Sequence, residues 1–146
     1  MKRLFWLLAI IFLVQCEKQS TEPEIKYYDV EYLVKSGGDT TAIIYNDENG
    51  ESKGITFAHD ERHKTWQLEF KVREGSSLSI IAQSYGEPYS QYLPVVYVWC
   101  YIYVDGGAAV ANDAANCSLE ESGEGCTYWE YQDYYICMAS ASYKIQ

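Results

Sequence analysis

The stretch Trp66-Gln67-Leu68-Glu69-Phe70-Lys71-Val72-Arg73 decides the fold class. Apolar and polar residues alternate through it without a break. A β-strand turns successive side chains to opposite faces. Trp66, Leu68, Phe70 and Val72 therefore face a core, and Gln67, Glu69, Lys71 and Arg73 face water. Upstream, Tyr28-Asp29-Val30-Glu31-Tyr32-Leu33-Val34-Lys35 repeats the pattern, with Tyr28, Val30, Tyr32 and Val34 on one face. Period-two patterning with a polar outer face describes an antiparallel sheet packed on one side.

Working outward, strand-like segments recur between Gly, Asn, Asp and Ser turns. The pattern predicts strands over 27–35, 40–46, 52–58, 64–73, 76–85, 94–105, 108–117 and 133–145. No stretch keeps helical periodicity beyond a turn or two, and there is no internal repeat. Tyrosine is over-used at 15 copies, and Val, Ile, Thr and Trp are frequent, a bias towards strands. The expectation is an all-β domain of about 7–8 strands in two stacked antiparallel sheets, a β-sandwich. Apolar residues at 48% supply an ample core for one domain.

The N-terminus reads as an address. Met1-Lys2-Arg3 is basic, and the apolar run Leu4–Val14 has 11 residues, short of the ~20 needed to span a bilayer. The run ends in Leu13-Val14-Gln15-Cys16, which resembles the lipobox of bacterial lipoproteins, with Gln15 where Gly, Ala or Ser is usual. Residues 1–15 are expected to form a signal peptide. Cys16 is expected to carry lipid and hold the protein to a membrane of the cell envelope. Residues 16–26 (CEKQSTEPEIK) read as a flexible tether and 27–146 as the domain. The chain carries a formal charge of −10, and losing Lys2 and Arg3 with the leader deepens it to −12. A surface this acidic repels nucleic acid, which is excluded as a partner.

Within 27–146, several short stretches occur in a familiar order: Thr41–Asn46, the Gly50 turn, Trp66, Glu74–Gln83, Ile102–Gly106 and Ala139–Ser142. Together they resemble the soluble domain of the MmpS-like (mycobacterial membrane protein small) family and its lipoprotein relatives. The resemblance implies an immunoglobulin-like β-sandwich and, for some members, an accessory role beside an envelope transporter. The shared motifs are turns and core positions, not chemistry. The sequence departs from the family in a cysteine-bearing insertion at about 113–132.

Five cysteines stand at 16, 100, 117, 126 and 137. With Cys16 assigned to lipid, an even four remain in an exported domain, which reads as two disulfides with three possible connectivities. Cys100 and Cys137 lie mid-strand and are expected to bridge strands inside the sandwich. Cys117 and Cys126 flank SLEESGEG and are expected to close that loop. Structural zinc favours close C-x₂₋₄-C pairs, and none occurs, so no metal is expected there.

Candidate chemistry is sparse. His59 and His63 would share a helix face near Asp60 and Glu61, but they fall between two strands and lack a third firm ligand. Asn46–Glu51 offers oxygen ligands but has the composition of a β-turn and lacks the spacing of a calcium loop. No nucleophile elbow, P-loop, zinc-protease or dinucleotide motif occurs. No catalytic residue, cofactor or metal is expected, and the domain is read as non-enzymatic.

The aromatic stripe Val96–Val104 is the feature that invites a ligand. Val96, Val98, Cys100, Ile102 and Val104 form one face, and Tyr97, Trp99, Tyr101 and Tyr103 form the other. The insertion adds further aromatics, with Trp129 and Tyr134 as candidates. A flat aromatic face stacks on sugar rings or holds an apolar ligand, and it equally serves cross-strand packing. Residues 127–135 are expected to cover part of the stripe. Two functions follow: a binding or accessory module working through a sheet face, and a carbohydrate-binding surface lipoprotein.

Overall fold

The computed structural model describes residues 24–58, 63–86, 96–117, 125–129 and 134–146, with His63, Trp129 and Tyr134 described through their backbones alone. The expected signal peptide, the lipidated Cys16, most of the tether, and His59 lie outside the described residues.

Nine strands occur among the described residues: β1 (Tyr27–Gly37), β2 (Thr40–Asn46), β3 (Ser52–Ala58), β4 (His63–Arg73), β5 (Ser77–Gly86), β6 (Val96–Val104), β7 (Ala109–Cys117), β8 (Cys126–Trp129) and β9 (Tyr134–Lys144). They form two antiparallel sheets, a four-stranded one in the order β4-β1-β6-β7 and a five-stranded one in the order β3-β2-β5-β9-β8. The alternating segments become the strands expected of them. Val30, Tyr32 and Val34 of β1 and Val72 of β4 are buried, and Trp66, Leu68 and Phe70 pack against the same core. The five-stranded sheet answers with Ile43, Leu78, Ile80, Ala82 and Ala139. Each fully buried Val, Leu or Ile contributes about 1.5–3 kcal/mol, so this double row of side chains is what holds the sheets together.

Turns are set by local chemistry. Val104-Asp105-Gly106-Gly107 closes β6 onto β7 with Asp105 at φ 51° and Gly106 at φ 65°, and the Gly107 N–H donates to the Val104 carbonyl at 3.1 Å. Two positive φ values in succession mark the tight hairpin turn that Asp-Gly favours. The chain changes sheets at Gly38 (φ 141°), where a Cβ would lie 2.6 Å from the Tyr85 carbonyl oxygen. Polar groups buried at this corner are satisfied: Thr41 donates to Ser36 at 2.8 Å, and Ser84 donates to the Gly37 carbonyl at 2.8 Å.

Two further bonds tie the sheets to each other. Tyr32 is fully buried, and its ring meets Phe70 and Tyr45 edge-on at 5.0 and 6.1 Å. Its hydroxyl accepts the Ser79 N–H at 3.1 Å, one residue beyond the last β2–β5 pair, Tyr45–Ile80. Asp113 of β7 accepts the Ser140 N–H of β9 at 2.8 Å, past the point where the short β8 stops covering that strand.

Within the insertion, Cys126–Trp129 forms β8, paired with Tyr134–Cys137. The expected disulfide pairing is corrected. Cys126 bonds to Cys137, while Cys100 and Cys117 stay outside the bridge. The cause is register: β8 sets Cys126 directly opposite Cys137, with 4.1 Å between their Cα atoms. Cys100 points instead at the Ala139 carbonyl, 3.6 Å away, so neither Cys100–Cys137 nor Cys117–Cys126 forms.

Candidate functional site

β6 lies inside the four-stranded sheet, between β1 and β7, so both of its faces have neighbours on either side. Its inner face is buried as expected, with Val96, Val98, Cys100 and Ile102 in the core. Tyr97, Trp99, Tyr101 and Tyr103 stand on the opposite face, turned away from the second sheet. Tyr97, Tyr101 and Tyr103 are half-buried and Trp99 is 39% exposed.

The register shows what surrounds each ring. Tyr97 lies opposite Gly37 and Asn116, Trp99 between Lys35 and Ala114, and Tyr101 between Leu33 and Asn112. Gly37 gives Tyr97 its seat, since a Cβ there would come within 2.5 Å of the Tyr97 ring. The ring thus lies over bare backbone in place of a side chain. The Tyr97 and Trp99 rings are 5.6 Å apart and tilted by 44°, and the Tyr101 and Tyr103 rings are 6.0 Å apart and nearly parallel. Burial pushes the Tyr97 phenol above its ordinary pKa. Burial does the same for Tyr103, helped by Tyr101 and by the Glu31 carboxylate. These hydroxyls stay protonated at neutral pH and can donate hydrogen bonds beside an apolar ring surface.

Of the expected cover, the described residues of 127–135 belong to β8 and β9 in the five-stranded sheet, on the far side of the core from the stripe, and 130–133 lie outside the described residues. There Tyr128 packs on Tyr135 at 5.0 Å. Trp129 pairs with Tyr134 in the same ladder, and their side chains lie outside the described residues. The six predicted ligand residues therefore fall into two groups on different sheets. The four on β6 form a contiguous surface. The polar flank of that surface, Lys35, Asn112 and Asn116, was not singled out from sequence, because it joins the aromatics only through long-range pairing.

The Asn46–Glu51 candidate resolves as a turn. Asp47 accepts the Asn49 and Glu51 N–H groups at 2.9 Å each and pairs with Lys53 at 3.4 Å. Burial raises its pKa, but those hydrogen bonds and the Lys53 charge outweigh it and hold the carboxyl below its ordinary value. This is the β-turn expected of Asn46–Glu51, with its acidic group committed to the turn. The side chain of His63 lies outside the described residues. Cys117, Cys126 and Cys137 converge, their sulfurs all within 4.8 Å of one another.

No protein-family model and no curated protein matches this chain.

Proposed function

We propose that this chain is a non-enzymatic lipoprotein of the bacterial cell envelope, anchored through Cys16, whose domain binds saccharide on the outer face of the four-stranded sheet. The observation that carries the reading is the row Tyr97, Trp99, Tyr101 and Tyr103, with Trp99 39% exposed and Asn112 and Asn116 alongside. Aromatic rings offer an apolar face to the C–H surface of a sugar, while amides and phenols meet its hydroxyls. A solvated sheet face has no need of four aromatics in line, and large exposed apolar patches mark contact with a partner.

The test is retention on a panel of polysaccharides, comparing the native protein with Trp99→Ala. The expected result is retention by one glycan class, lost in the variant, while thermal stability stays nearly unchanged. No retention by any glycan, or equal retention by the variant, refutes the saccharide reading. Mass spectrometry of the mature N-terminus tests the anchor, since an intact Met1 contradicts it.

A second reading is an accessory module beside an envelope transporter, with the immunoglobulin-like, MmpS-like kinship that goes with it. It is favoured by the outer face of the five-stranded sheet. Ile44 is 52% and Met138 49% exposed there, with Ile81, Gln83 and Ser140 beside them. Lys144 is the one charged side chain at the outward positions of that sheet among the described residues, in a chain of net charge −10. Such a surface fits a protein partner better than a sugar. Co-purification with an envelope transporter, lost on Ile44→Glu, supports this reading over the first.

A further inference from the structure

Three of the five cysteines meet at one point between the sheets. Cys126 and Cys137 are bonded across β8 and β9. Cys117, the last residue of β7, belongs to the other sheet, yet its sulfur lies 3.4 Å from the Cys137 sulfur. Contact between β7 and β9 brings it there, because the sandwich draws these two strands together along one side. Cys117 and Cys137 are buried, while Cys126 on the edge strand is only half-buried.

We propose that this cluster is a thiol–disulfide exchange site, in which the bridge moves between Cys126–Cys137 and Cys117–Cys137. Cys137 is common to both forms. The Cys117 thiol gives up its proton, and the thiolate attacks the Cys137 sulfur. The Cys117–Cys137 bond forms, the Cys126–Cys137 bond breaks, and Cys126 leaves as a thiolate that takes up a proton. One disulfide and one thiol stand on each side of the step, so no oxidant or reductant enters. The attacking and attacked sulfurs are already in contact, so the reaction needs no diffusive encounter, only a side-chain rotation that brings the three sulfurs into line.

The two forms differ in what they join and in what they expose. The bridge at Cys126–Cys137 spans 11 residues and staples an edge strand to its neighbour within one sheet. The alternative ties the four-stranded sheet to the five-stranded one. It leaves β8 held by four residue pairs alone and turns a buried thiol into one nearer to water. Cys126 then becomes a site for small-thiol or electrophile modification, and its modification fixes the chain in the second form. Cys100 takes no part. It is fully buried, directed at the Ala139 carbonyl, and so serves as an internal reporter of global unfolding.

The test is to incubate the oxidised full chain with excess maleimide and no reductant, followed by non-reducing peptide mapping over time. The expected result is alkylated Cys126 and a Cys117–Cys137 cross-link in the same molecules, with Cys100 unmodified. In Cys117→Ala and Cys117→Ser, alkylation of Cys126 slows by an order of magnitude or more. Four outcomes overturn the proposal. Cys126 stays unmodified in the native protein, or it labels equally fast in both variants. Cys100 labels as fast as Cys126, which means unfolding exposes both. Or the native mass shows a bound metal with all three thiols reduced.

Discussion

Replacing Tyr32 with Phe removes one oxygen from the centre of the sandwich, and the structure says what that oxygen does. Tyr32 is fully buried on β1, and its hydroxyl accepts the Ser79 N–H from the opposite sheet at 3.1 Å. Tyr32→Phe keeps the ring and its edge-on contacts with Phe70 and Tyr45. It leaves the half-buried Ser79 N–H without this acceptor, which costs about 1–3 kcal/mol. The same hydroxyl makes a second prediction. Burial pushes its pKa from 10.0 to about 12, against the smaller lowering effect of the Ser79 bond. The folded pKa lies above the unfolded one, so the unfolded chain loses this proton first. The stability that Tyr32 confers is intact below pH 10 and lost as pH climbs towards 12. At about 1.4 kcal/mol per pH unit, the loss approaches 3 kcal/mol. Urea denaturation of both proteins from pH 7 to 11.5 should show Tyr32→Phe less stable by about 2 kcal/mol at neutral pH. The gap should then close as the native protein weakens. Equal stability at pH 7 together with parallel curves above pH 10 would refute the assigned bond and the buried phenol alike.

Further outcomes follow from other parts of the sandwich. Gly38→Ala places a Cβ against the Tyr85 carbonyl at a positive φ, and should lower stability by at least ~2 kcal/mol, read as a shift in the urea midpoint. Asp113→Ala strips the carboxylate from the solvent-accessible Ser140 N–H and should cost about 0.5–1.5 kcal/mol, with faster hydrogen exchange at Ser140, and Asp113→Asn should recover part of the loss. Burial pushes the Cys100 thiol from 9.0 up to about 12, so it adds to the alkaline decline from pH 9 upward. Cys100→Ala should flatten the curve between pH 9 and 10, where Tyr32 does not yet titrate.

Local patterning made most of the strands readable. β2 and β3 occupy the very residues their composition indicated, and β1, β4 and β5 differ from expectation by only one or two residues at an end. The aromatic stripe also divides into the two faces that alternation assigned to it. What stayed hidden depends on contacts between residues distant in the chain. β8 is four residues long and follows the polar run SLEESGEG, so nothing in its own composition marks it as a strand. Its partner is β9, and that pairing, not the spacing of cysteines along the chain, puts Cys126 opposite Cys137. The flank of the aromatic face has the same origin. Lys35, Asn112 and Asn116 reach Tyr97, Trp99 and Tyr101 only because β1 and β7 both pair with β6.

The strand directions also give the domain two unlike ends. At one end the described chain begins, Lys26 accepts the Glu74 N–H, and Ile145 binds Gly75 and Ser76 near the C-terminus. The connections there are tight: 47–51, 74–76 and 105–108. At the other end lie Gly37, Ala58, Gly86, Val96, Cys117, Trp129 and Tyr134, the strand ends that border 59–62, 87–95, 118–124 and 130–133. Under the Cys16 anchor proposed above, the tight end is the one attached, and three short turns close the domain on that side. Under that anchor, the strand ends that border 59–62, 87–95, 118–124 and 130–133 all face away from the membrane.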